Sequence, residues 1–238
     1  MRLLGRLWWR LDDRYALPKS SLTVLFRTTK AEHKRVHLDG GAAIYDYDHK
    51  SAQLSNLLTS IFHEATAQST YDAHLAGLGF SLSKSSSGFT LTVSGYSDRL
   101  SDYAKELLTN FCSSDFIGET QFASCKDGTV RSLRSFHESK RADSIAIYYR
   151  DLLVSGKGEG VEKSLATVEQ ISLDDVISHH HDVFSDSDSK LEVLYTGNVS
   201  QDQAAVMFDA AKNIVRKRRS VKADVSSGTN TSWEPGRW

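Results

Sequence analysis

The chain has 238 residues, 39% of them hydrophobic and 25% charged, the balance of a globular protein long enough to bury a real core and not of a disordered one. Twenty-nine Lys and Arg against 30 Asp and Glu leave a formal charge of −1, so nothing global points to nucleic acid or to an anionic membrane surface. Two cysteines, Cys112 and Cys125, fit buried thiols in a reducing compartment better than a disulfide framework, and no apolar run approaches the ~20 residues a bilayer-spanning helix needs.

The N-terminal stretch MRLLGRLWWRLDDRY carries Arg2, Arg6, Arg10 and Arg14 at every fourth position and no acid before Asp12. Two readings stay open for it. One is a mitochondrial presequence; the other is a first segment of the fold, with Leu7-Trp8-Trp9 and Tyr15-Ala16-Leu17 as its apolar part. Two tryptophans and an Asp-Asp pair are unusual in a presequence, and the arginines interrupt any secretory h-region. Chain chemistry points to the cytoplasm, with the mitochondrion as the alternative.

After Pro18, SLTVLFRTT (21–29) is β-branched and apolar and reads as a strand. Residues 30–50 are charged, contain glycines and show no period, and read as a loop. From Ser51, the positions Leu54, Leu57, Leu58, Ile61, Phe62 and Ala65 predict one amphipathic helix running to residue 76, where Gly77 and Gly79 stop it. A hairpin follows. Its arms are FSLSK (80–84) and GFTLTVSGY (88–96), with Phe89, Leu91 and Val93 on the buried face and Thr90, Thr92 and Ser94 on the wet one.

Ser97 or Asp98 caps the next helix, whose stripe is Leu100, Tyr103, Ala104, Leu107, Leu108 and Phe111. Helices are expected at 119–140, 143–155 and 172–184, the last opened by a capping box from Ser172 to Asp175. KLEVLYTGN (190–198) is a strand, and Ser200 with Gln203 caps a helix carrying Ala204, Met207, Phe208, Ala211 and Val215 on one side. The order predicts an α+β fold, a mainly antiparallel sheet with helices packed on one face. No composition break interrupts residues 15–219, so 1–219 is expected as one domain and 220–238 as a polar connector toward a following domain.

The stretch IFHEATAQSTYDAH (61–74) raises the question of a zinc site. Two helical ligands must lie one turn apart, as in HExxH or HxxEH, but Thr59 and Ala67 stand four residues either side of His63. His74 is ~16 Å further along a continuous helix, beyond the reach of one ion. His63 itself is expected on the polar face, in solvent. His33 and His37 have i, i+4 spacing but no helical stripe and no third ligand. His179-His180-His181-Asp182 reads as a surface cluster near a helix C-terminus, where partial positive charge suits the dipole. GKGEG (156–160) is too short for a phosphate loop, and Arg216-Lys217-Arg218-Arg219 reads as a helix end and not a nucleic-acid footprint. No catalytic or metal-ligating residue is assigned in this chain, and no substrate-binding residue is named.

Three stretches carry a resemblance: LWWRLDDRYALPKSSLTVLF, YDAHLAGLGFSLSKSSSGFTLTVSGYSDRL, and AIYYRDLLV with LATVEQISLDDV and LEVLYTGNVS. In this order they resemble the third domain of the inverted-zincin peptidases, the family of insulin-degrading enzyme, nardilysin and pitrilysin. WEPGRW resembles the connector to that family's fourth domain. The resemblance runs from about Leu7 to Trp238 and is weakest over 30–50.

The resemblance implies a LuxS/mitochondrial-processing-peptidase-like metallohydrolase fold, one of four homologous domains whose two halves clasp a chamber. It also implies that zinc is bound only in the first domain, on an HxxEH helix, and that the helix at 51–76 is the counterpart of that helix without its ligands. The expected role is a noncatalytic piece of the chamber wall. Its partners would be the remaining domains and, through the complete chamber, peptide substrates, with no nucleic acid and no membrane; a homo-oligomer is left open. The alternative is a free-standing inactive module that binds a peptide or protein.

Overall fold

The computed structural model describes residues 4–15, 17–37, 43–155, 160–186 and 188–225. In chain order the strands are β1 (Leu4–Leu11), β2 (Lys19–Arg27), β3 (His33–His37), β4 (Ala43–Tyr47), β5 (Gly79–Ser85), β6 (Gly88–Tyr96) and β7 (Lys190–Gly197). The helices are α1 (His49–Thr66), α2 (Tyr71–Leu75), α3 (Ser97–Cys112), α4 (Glu119–Arg134), α5 (Phe136–Ser139), α6 (Ala142–Ser155), α7 (Val161–Gln170), α8 (Leu173–Ser185) and α9 (Gln201–Val225). The main sheet has the order β1-β7-β2-β6-β5; β1 runs parallel to β7 and every other neighbour is antiparallel. This is the α+β architecture the sequence implies.

Strand alternation sets the buried face. Leu22, Val24 and Phe26 of β2 are buried, while Ser21, Thr23 and Leu25 between them are only half-buried. Val24 sits between Leu91 of β6 and Val193 of β7, so three strands contribute to one packed row. Phe89, Leu91 and Val93 are buried as the period predicts. Onto this face pack α1, α3 and α9. The stripe Leu54, Leu57, Leu58, Ile61 and Phe62 of α1 is buried, and the Phe62 ring meets Phe80, Phe111 and Phe116 edge-on at 6.0, 5.3 and 5.1 Å. Such aromatic contacts add about 0.5–1.5 kcal/mol each beyond the area they bury.

Several elements differ from expectation. Residues 33–37 and 43–47, expected as loop, form the β3–β4 hairpin, tied to α1 by the Asp48 amide donating to the Glu32 carbonyl at 2.7 Å. The long helix is broken: α1 stops at Thr66 and α2 begins at Tyr71. Its break coincides with a run of hydroxyls bonded to backbone carbonyls, Thr66 to Phe62 at 2.7 Å and Ser69 and Thr70 to Thr66 at 3.1 and 2.8 Å, which compete with the helical ladder. The helix expected over 119–140 divides at Ser135 into α4 and α5, and α7 is an additional helix.

Neither Ser97 nor Asp98 is the cap of α3, which follows Tyr96 without a side-chain cap bond; Ser97 Oγ instead accepts from Ser20 Oγ at 3.1 Å. The capping boxes at Ser172–Asp175 and Ser200–Gln203 are both formed. Helix α9 continues to Val225, past the boundary expected at 219, and the WEPGRW segment lies outside the described residues.

Candidate functional site

Helix α1 and the edge strand β5 hold the residues that sequence singles out first. His63 is exposed on the polar face of α1, as expected, and its ring reaches along that edge. Its ring stacks on Phe80 with centroids 5.3 Å apart and 17° between planes. Its Nε2 lies 2.9 Å from the Leu82 carbonyl oxygen and 3.3 Å from the Leu82 amide nitrogen. One ring nitrogen cannot donate and accept at once, so the shorter contact makes Nε2–H a donor to the carbonyl. The physical reason is the edge itself: the outward peptide groups of β5 have no strand beside them and need partners.

The fit of zinc to this helix can be judged from those contacts. A zinc site takes at least three protein ligands at about 2.0–2.3 Å. His63 is committed to Leu82, positions 59 and 67 are Thr and Ala, and His74 belongs to α2, a separate helix. These residues do not fit the metal. Among the described residues, no group of three or more His, Cys, Asp or Glu is placed to hold an ion. His33 and His37 lie on a strand, where four residues separate Cα atoms by ~13 Å, and so lose the one-turn proximity their spacing suggested.

The cluster at 179–181 is not on the surface. It sits in the body of α8, which runs on to Ser185, and His179 and His180 are buried. His179 Nε2 is 2.8 Å from Ser55 Oγ, a pair with the outline of a nucleophile and its base. Ser55, however, donates its proton to the Ala31 carbonyl at 2.8 Å, so His179 must donate to Ser55 and cannot act as its base. Ser55 is also fully buried, closed to any substrate.

His180 Nε2 donates to the Phe111 carbonyl at 2.9 Å, while its Nδ1 is buried without a partner. Burial pushes the pKa of both histidines down to about 4, so they are neutral and carry no charge for the helix dipole to favour, contrary to expectation. His181 alone reaches outward, 2.9 Å from an Arg218 nitrogen. Burial pushes the Cys112 thiol up to about 12 and raises that of Cys125 as well, so neither is an activated nucleophile. The basic run from Arg216 lies inside α9 and not at its end. Of GKGEG, only Gly160 is among the described residues, just ahead of α7.

Two surfaces that sequence reading missed are visible in the fold. Helix α6 stands away from the core, touching α5 through Tyr148 against Phe136 and Tyr149 against His137. Its Leu153 and Val154 are each 82% exposed. The second surface is a cavity of about 520 Å³ at one end of the sheet, lined by Lys19, Ser21, His74, Gly77, Ser94 and Thr196 among others. Gly95 and Gly197 shape it: at φ +145 and +109 a Cβ on either would fall 2.3–2.4 Å from a backbone oxygen. The spacing of glycines at the ends of β6 and β7 was the only signal in the sequence.

Similarity to known proteins agrees with this geometry. Human insulin-degrading enzyme is 26% identical over 152 residues, covering 64% of this chain and 13% of the human protein. The A-factor-processing enzyme of Saccharomyces cerevisiae is 21% identical over 212 residues, 89% of this chain and 19% of the yeast protein. The chain thus spans a fifth or less of either relative. The crystal structure of pitrilysin superposes with a TM-score of 0.75 at 19% identity, over 91% of this chain and 21% of that one, a likeness of fold. The family described as "Middle or third domain of peptidase_M16" matches residues 2–166, more than half of the sequence, and the chain therefore belongs to the middle-domain family of the M16 peptidases.

Proposed function

We propose that this domain is a noncatalytic part of the wall of a peptide-degrading chamber, the third domain of a zinc metalloendopeptidase resembling insulin-degrading enzyme. The observation that carries it is the state of α1. Its one polar-face histidine is bound to the Leu82 backbone, and no second ligand stands one turn away. Hydrolysis by zinc-activated water needs an ion held with an open position and a carboxylate base beside it. In this reading zinc resides in the first domain, peptide substrates meet the completed chamber, and the enzyme works in the cytoplasm. The exposed apolar side of α6 suits contact with a neighbouring domain of the same enzyme.

The test is a fluorogenic peptide assay, with metal analysis, on three proteins: this chain alone, a complete enzyme containing it, and that enzyme with the domain removed. No turnover, full turnover and strongly reduced turnover are expected in that order. Chelator-sensitive cleavage by the chain alone would sink the proposal. Undiminished activity after removal would favour the free-standing binding module instead.

A further inference from the structure

The main sheet has two edges, and the fold treats them differently. Along β5 the outward flank is partly occupied. The Leu78 amide at its start donates to the Ala73 carbonyl at 2.9 Å, His63 takes the middle at Leu82, and an ion pair of 2.6 Å ties Lys84 to Glu32 at the far end. Among the described residues, the only strand neighbour of β1 is β7. Among the described residues, the one further backbone bond nearby is from the Asp12 amide to the Gly197 carbonyl, on the β7 side.

β1 reads LGRLWWRL: eight residues without proline and without a charge on its inner face. Gly5, Leu7 and Trp9 lie beside Leu191, Val193 and Tyr195 on that inner face; Phe208 of α9 packs against Gly5, and the Trp9 indole donates to the Val199 carbonyl at 2.9 Å. Arg6, Trp8 and Arg10 stand on the uncovered side, with Trp8 58% exposed. An open edge of this length, free of proline, leaves unpaired peptide groups that can template another strand, and its two arginines bias which strand that is.

Charge selects the occupant. Neither Arg6 nor Arg10 has an ion-pair partner among the described residues. Arg6 also shares a cavity of about 400 Å³ with Arg27, Lys190 and Glu192, where the single carboxylate is already 3.2 Å from Arg27. A second copy is a poor occupant, since two β1 strands paired antiparallel about Trp8 would set Arg6 of each against Arg10 of the other. We infer that β1 accepts an extended acidic peptide segment as a sixth strand. The segment's backbone pairs along the free flank of β1, and carboxylates at alternate positions lie beside Arg6 and Arg10. Main-chain bonds supply affinity and the arginines supply choice, the division of labour of strand addition elsewhere.

The probe is a short fluorescein-labelled peptide with Glu at alternate positions and Val between, read by anisotropy on the intact chain at low salt. A Lys-for-Glu peptide should bind at least about tenfold more weakly. N-methylation of one alternate set of amides should abolish binding, and of the other set should spare it. Hydrogen exchange should slow in residues 4–11 and not in 79–85. The double substitution R6E/R10E, on exposed side chains, should reverse the preference toward the Lys peptide. Equal binding of the two peptides, indifference to either N-methylation, protection along β5, no peptide binding at all, or dimers formed through β1 in place of peptide uptake would each overturn the assignment.

Discussion

His63 Nε2 lies 2.9 Å from the carbonyl oxygen of Leu82, which makes a helix side chain the neighbour that the outermost strand lacks. The contact joins residues 19 apart in sequence across the α1–β5 junction and is reinforced by the stack on Phe80. Replacing His63 with Ala should therefore cost about 0.5–1.5 kcal/mol, the usual net worth of one hydrogen bond. Solvent can reach the vacated peptide groups, so the penalty stays modest. Urea denaturation would give the energy, and faster exchange of the Leu82 amide would show its origin; an unchanged Leu82 amide would contradict it.

The two faces of β6 offer a sharper contrast. Leu91 is packed between Val24 and Leu82, so Leu91→Asp puts an unpaired charge in the core and should cost about 4 kcal/mol or more. Thr90 lies on the other face and is half-buried, and Thr90→Asp should cost about 1 kcal/mol or less. Denaturation midpoints of the two variants would separate them plainly, and equal losses would mean that the buried face is misassigned.

Acid should loosen the domain in a defined window. His179 and His180 have pKa values of about 4 in the fold because burial disfavours their charged forms, against about 6.5 in the unfolded chain. Between these values the unfolded state binds more protons, so stability is intact above about pH 6.5 and falls as pH drops toward 4. Each histidine accounts for up to about 3 kcal/mol of that loss. Asp175 acts in a lower range. Its carboxyl is held at about 2, first by Lys50 and then by Ser172, so its contribution is lost only below about pH 4. Replacing His180 with Gln should flatten the profile between pH 6.5 and 4, as read from urea midpoints at each pH.

The apolar side of α6 should make the isolated chain self-associate. Leu153 and Val154 are the most exposed large aliphatic side chains in the described fold, with Ile147 on the same helix also exposed. Leu153→Glu with Val154→Glu should raise the dissociation constant of any dimer by about tenfold or more without changing the unfolding midpoint of the monomer. Sedimentation velocity across a concentration series would measure it, and an unaltered series would place the sticky surface elsewhere.

Periodicity made some elements legible and left others silent. Alternation in β2 and β6 and the stripe of α1 show in the sequence because each has one buried face, and burial filters residue types at a fixed period. β3 carries His33, Lys34, Arg35 and His37, with no such filter, so its hairpin with β4 looks like loop. β1 was ambiguous for the same reason: Trp8 and the arginines occupy an uncovered face. The break at Thr66 depends on side-chain hydroxyls that turn back on their own helix, a local competition that an apolar pattern does not register. His179 and His180 read as polar because composition ranks histidine so. Their burial comes from partners on distant segments, Ser55 on α1 and Phe111 on α3, which no window around residue 180 contains.

The position of β7 has a consequence for synthesis. It lies between β1 and β2, pairing Leu4 with Lys190 on one side and Arg27 with Lys190 on the other, so the last of the described strands to be synthesised joins the first two of them. β2, β6 and β5 can zip together as soon as residue 96 has emerged, whereas β1 must wait for residues 190–197 with its tryptophans uncovered. Long-range closure of this kind is slow, because the intervening chain must be ordered before the contacts that repay it exist. A product ending at residue 166, where the family match stops, would carry β1 with no strand to pair with and Val24 with only one of its two strand neighbours. Such a product should be captured by chaperones and cleared, not accumulate as a smaller domain.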